Sequence, residues 1–201
     1  FALESGTMPP AGAPQLSRQE YRKFVAWLTD QPYTPSGEKV RVPLVTAQGW
    51  DTASRSRDLF SDHRPAQIDC PQDTGWLAEE GVLEIRTESC NYLSLTQQSL
   101  LNLETGTVLE LALSHSDLNY NAPATAHVAI AVGGKTIWES DIPIPSEESI
   151  LKHSVKLPFA VSQGDAIDIH LHNHGKNTWT LHSIDALVSE EFDLEFCASF
   201  D

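Results

Sequence analysis

The chain has 201 residues and a formal net charge of −15, from 28 acidic against 13 basic side chains. That balance argues against nucleic acid, which needs clustered Lys and Arg, and disfavours anionic polysaccharide and anionic lipid; a basic protein partner fits by charge complementarity. Hydrophobic residues make up 40% of the chain, enough for a core in one large or two small domains, and no apolar run approaches the ~18 residues of a membrane span. The start, Phe1-Ala-Leu-Glu4, lacks the basic region and apolar stretch of a signal peptide. An export signal is therefore expected to have been removed or to precede a longer precursor.

Residues 1–14, rich in Pro, Gly and Ala, read as a loop. A helix is predicted over 17–30: Ser17 and Glu20 form a capping box, Leu16 sits at the staple position, and Tyr21, Phe24, Val25 and Leu28 recur at helical spacing. Pro32 ends it. The loop holds the chain's single methionine in Gly6-Thr-Met8-Pro9-Pro10. Gly6, Met8, Pro9, Pro10, Leu16, Ser17, Glu20, Trp27 and Leu28 together resemble the C-terminal end of a c-type cytochrome domain, covering residues 1–32. The resemblance implies haem c with Met8 as axial ligand, a thioether that raises the potential, and electron transfer to a redox protein partner. Covalent haem also needs Cys-x-x-Cys-His; Cys70, Cys90 and Cys197 lack that context. The chain is therefore expected to be the C-terminal part of an exported multidomain cytochrome whose haem-attachment half lies elsewhere.

Residues 33–68 read as a connecting segment, with a strand at Val40–Val45 and a charged Arg-Ser-Arg-Asp piece at 55–58. Beyond Asp69 short alternating runs predict strands at Val82–Thr87, Tyr92–Gln97, Thr107–His115, Ala126–Val132, Lys135–Ser140, Leu151–Leu157, Ala166–Leu171 and Asn177–Leu187. Gly133-Gly134 is a two-residue hairpin turn. The fold class is mainly β: an antiparallel, jelly-roll-like sandwich over residues 69–190, preceded by one short helix and followed by an acidic tail at 191–201. The runs Gly106-Thr-Val-Leu-Glu-Leu, Ala126-His-Val-Ala-Ile-Ala-Val-Gly-Gly-Lys-Thr-Ile-Trp and Gly164-Asp-Ala-Ile-Asp-Ile resemble galactose-binding-like jelly rolls, the fold of many carbohydrate-binding modules. That resemblance implies an architecture and fixes no ligand.

Four groups carry candidate chemistry. Cys70 and Cys90, around a Pro-Gln-Asp-Thr-Gly turn, are a credible disulfide in a periplasmic or extracellular protein, with Cys197 free or an alternative partner. His170, His172 and His174 fall on one face of a strand and could share Zn or Cu if His127 or His182 approached; otherwise they line a wet sheet face, hydrogen-bonded to neighbours. Asn173, Asn177 and Trp179 could hold a glycan if the indole face were exposed, although a tryptophan there is more often core. Asp117, Asn119 and Asn121 offer oxygen at alternate positions, as a calcium loop does, without the Gly and Glu that complete one. No hydrolytic or phosphate-loop motif occurs, so the chain does not read as an enzyme. The alternatives to electron transfer are a non-catalytic carbohydrate-binding module and a His-rich metal-binding sandwich.

Overall fold

Alternating strands with one greasy face bury it only against another such face. In the computed structural model, which describes Lys23 and residues 39–189, they do so as two antiparallel sheets. The strands are β1 (Lys39–Pro43), β2 (Asp51–Thr52), β3 (Trp76–Glu79), β4 (Val82–Arg86), β5 (Tyr92–Gln98), β6 (Val108–His115), β7 (Ala124–Val132), β8 (Lys135–Ile144), β9 (Ser149–Lys156), β10 (Ala166–His172) and β11 (Thr178–Ser189). One sheet has the order β3-β4-β11-β6-β9, with β1 also on β11; the other runs β2-β5-β10-β7-β8. Every strand expected beyond Asp69 is present with ends moved by a few residues, and the expected Val40–Val45 strand is β1. The short β2 and β3 carry too little alternation to be seen in advance. Apart from Lys23, the helix over 17–30 lies outside the described residues, as do Met8, Cys197 and the acidic tail.

The compact body spans Val40–Val188, so residues 40–68 lie within it. Its centre is built from Leu109, Leu111 and Leu113 of β6, Leu181, Ile184 and Ala186 of β11, Ile167, Ile169 and Leu171 of β10, and Val128, Ile130 and Val132 of β7, all buried. Register fixes these faces: Ile169 stands opposite both Leu95 and Ile130, and a slip of one residue would turn each leucine outward. Gly133 and Gly134, with φ of 56° and 76°, close the β7–β8 hairpin, the left-handed pair that a two-residue turn requires.

β5, β10 and β7 depart from the one-sided pattern. Between Ala126 and Val132 and between Ile167 and Leu171 every residue is buried. The outward side chains of these strands are therefore covered too, which happens when something packs on the second face. The cover is the irregular segment 53–69, whose only regular element is a 3₁₀ turn at Ser61–His63. It is tied at one end by Ala53 N–H to the Ser94 carbonyl (2.8 Å), and at the other by Asn91 N–H to the Asp69 carbonyl (3.0 Å). The disulfide Cys70–Cys90 follows immediately and contributes about 3 kcal/mol by the loop-entropy estimate.

Candidate metal centre

The covered face is polar at one end and small at the other. Alternation places Tyr92 and Ser94 of β5, Asp168, His170 and His172 of β10, and His127, Ala129 and Ala131 of β7 on it, with His172 directly opposite both Tyr92 and His127. The two alanines leave room for Phe60, which is buried against them and lies parallel to the His170 ring at 4.6 Å. Phe60 thus fixes where the 3₁₀ turn lands, and the turn delivers His63 onto the sheet histidines.

His63 stacks on His127 with centroids 4.2 Å apart and meets His170 edge-on at 5.8 Å. His127 and His170 are 5.2 Å apart. One ring nitrogen from each of the three lies within 4.8 Å of those of the other two. The nitrogens around a tetrahedral zinc stand about 3.3 Å apart, so to complete a three-imidazole set the exposed His63 ring must turn out of its stack on His127 and close inward.

Hydrogen bonding prepares the two buried rings. His170 Nδ1 lies 2.8 Å from the Leu93 carbonyl, and His127 Nε2 lies 3.4 Å from a Glu139 carboxylate oxygen. Both partners only accept, so in each neutral ring the proton sits on that nitrogen and the lone pair on the other. Those others, His170 Nε2 and His127 Nδ1, are buried without a hydrogen-bond partner. A histidine oriented by an oxygen on one nitrogen and free on the other is the usual arrangement of a metal ligand. Burial, the largest influence, pushes His170 down to about 3, so the imidazole is neutral at physiological pH and its lone pair is available.

The segment is anchored by a buried carboxylate. Asp58, 6% exposed, accepts from Tyr92 Oη (2.6 Å), Arg64 Nη1 (2.7 Å) and the Phe60 N–H (3.1 Å). Burial alone would raise its pKa, but the bonds from Tyr92, Arg64, Phe60 and Ser94 together hold it below the ordinary carboxylate value. Tyr92 is pushed up in return, by burial and then by Asp58. Asp168, buried two residues before His170, is raised by desolvation against a bond from Thr96.

The sequence-predicted sites fare unequally. Of the expected set His170, His172 and His174, only His170 falls in the cluster, with His127, one of the two possible partners. Its unforeseen third member is His63, while His172 and His174 stand beside the set and His182 bonds Ser114 at 2.8 Å on the other sheet. His63 had no periodicity to announce it, only its lone place in a polar stretch. Asn173, Asn177 and Trp179, expected to hold a glycan only if the indole face were exposed, are all buried, and Trp179 lies in the core as the commoner expectation had it. Asn177 accepts from Asn119 N–H and donates to the His174 carbonyl, and Asn173 donates to Thr87 and to that same carbonyl. These amides hold their own hairpin together, and the one atom left without a partner, Asn173 Oδ1, is buried. In the proposed calcium loop, Asp117 accepts from Glu148 N–H at 2.9 Å and Asn119 turns back to the Asp117 carbonyl, so both act as loop braces. Cys70 and Cys90 pair as expected. Among the described residues no helix is long and apolar enough to cross a membrane.

No family profile matches the chain, and no curated protein matches it, so the cytochrome resemblance of residues 1–32 gains nothing from either. Solved structures to which it is similar include an adhesin domain of Lys-gingipain from Porphyromonas gingivalis, with a TM-score of 0.45, 13% identity, and coverage of 75% of this chain and 99% of that one. The N-terminal cellulose-binding domain of β-1,4-glucanase C from Cellulomonas fimi aligns with a TM-score of 0.40 and 15% identity over 79% of this chain and 98% of that one. A mutant carbohydrate-binding module of family 29 gives 0.40 and 10% over 76% and 94%.

Proposed function

We propose that the sandwich is a non-catalytic, histidine-rich module that binds one divalent first-row cation, Zn²⁺ or Cu²⁺, through His63, His127 and His170. The observation that carries this is the convergence of three ring nitrogens within 4.8 Å, with the two buried rings each offering an unpaired nitrogen. Imidazole donors suit zinc and copper, and copper binds more tightly by the general order of divalent affinities. The Cys70–Cys90 bond supports a periplasmic or extracellular home.

Calorimetry on untagged protein tests it. One equivalent of Zn²⁺ or Cu²⁺ is expected to bind, and cation at a hundred times Kd should stabilise the fold by about 2.7 kcal/mol. His63→Ala, at an exposed position, should abolish most of that gain while leaving the metal-free melting temperature in place. Equal stabilisation of wild type and variant would remove the trio from the site.

A second reading, binding of a neutral glycan, draws on one observation: Tyr120 is 48% exposed and sits by His174, at 5.6 Å between rings. An exposed aromatic face is what sugars stack on. A glycan array that shows binding lost in Tyr120→Ala would establish it; an array blank for the wild type would dismiss it.

A further inference from the structure

Five of the chain's eight histidines lie on the covered face, yet the metal centre uses three. The remaining two, His172 and His174, continue the outward row of β10 beyond His170. Their rings are 5.1 Å apart, and both are half-buried. His63, itself one of the trio, also meets one member of this pair: its ring stands edge-on to His172 at 6.4 Å. One exposed imidazole on a single 3₁₀ turn therefore stands between the outer pair and the two buried rings.

Resting on the reading of the trio as a metal centre, we propose that His172 and His174 form an outer capture pair, which takes a divalent cation from solvent and passes it to His127 and His170 by way of His63. The cation would first exchange waters for the outer imidazoles. His63 then adds its ring nitrogen, and each later step forms one nitrogen–metal bond as another is released. No electron moves, and the cation is never stripped of more than one imidazole at a time.

The hairpin is built to hold this pair in place. The His174 carbonyl is fixed by two side-chain amides, Asn173 Nδ2 (3.1 Å) and Asn177 Nδ2 (2.8 Å). Gly175, at φ 89°, lets the Asn119 carbonyl approach so closely that a Cβ would lie 1.9 Å from it, and this brings Tyr120 against the His174 ring. On the β5 side the approach is unfavourable for a cation, since the Arg64 guanidinium lies over Tyr92 at 5.5 Å. The competing approach is from β8, where the Glu139 carboxylate, 62% exposed, stands by His127.

Stopped-flow uptake of Co²⁺ by untagged full-length protein separates these routes, since cobalt bound by three imidazoles absorbs in the visible. The His172→Ala/His174→Ala double variant should reach the same one-to-one end point with the same spectrum, but load at least about tenfold more slowly, because the local concentration supplied by the pair is lost. An unchanged loading rate, or slowing by Glu139→Gln in its place, would overturn the route. A changed end-point spectrum in the double variant would also overturn it, by making the pair permanent ligands. Wild-type protein that takes up no Co²⁺, Zn²⁺ or Cu²⁺ at equilibrium would instead remove the trio itself, and the route with it.

Discussion

Replacing Asp58 by alanine is expected to lower the unfolding free energy by about 3–5 kcal/mol, the usual cost of removing one partner of a buried ion pair. The change strands the largely buried Arg64 guanidinium and takes from Tyr92 its shorter hydrogen bond, 2.6 Å. The effect has a pH signature. Because the folded carboxylate is held below its ordinary value, the folded state binds the proton less readily than the unfolded chain. Its contribution is then fully present above the unfolded value near ~3.9 and is lost as pH falls through the lowered folded value. Denaturant midpoints of wild type and variant should stay equally separated from neutral pH down to about 5 and converge below about 4. A separation that persists unchanged into strong acid would show that the carboxylate charge is not what anchors the segment.

Trp179→Ala should be as damaging, costing about 3–5 kcal/mol as large-to-small changes at buried aromatics do. The side chain is 1% exposed, stands opposite Ile85 of β4 and His115 of β6, and lies 4.8 Å from the His115 ring. The void would open where three strands meet, with little freedom to collapse. Trp179→Phe, keeping most of the volume, should recover more than half of the loss in urea unfolding. A loss below about 1 kcal/mol for the alanine variant would place the indole outside the core.

The contrast between Trp179 and His63 explains what could be read in advance. Strands such as β6, with leucine at every second position, declare both their type and their buried face, because period-two burial is written into the residues themselves. The hairpin glycines declare the turn for the same local reason. His170 and His172 could likewise be placed on one face of β10. What could not be read is which outward faces meet water. Alanines 129 and 131 look like filler until Phe60 lies on them, and Asp58 in an Arg-Ser-Arg-Asp run looks like solvent-exposed charge until Tyr92 and Arg64 close around it. The covering segment has no periodicity, so its register against the sheet, and with it the third histidine, is decided by tertiary packing alone. Asn173 and Asn177 were ambiguous for a related reason: side chains that complete a hairpin's own network have the same composition as those that hold a sugar.

The doubly buried strands also set an order of events for the chain. Segment 53–69 precedes β5, β7 and β10 in sequence, yet the surface it covers exists only once all three have been aligned. Its docking therefore belongs late on the folding route, after the loop-closure entropy of the sheet has been met. Interactions formed that late are largely absent from the rate-limiting barrier, so they act on how slowly the native state is lost and hardly on how fast it is reached. Whatever tightens the cover over His127 and His170 would thus lengthen the lifetime of this fold, a stability measured as a rate of loss and not as an equilibrium.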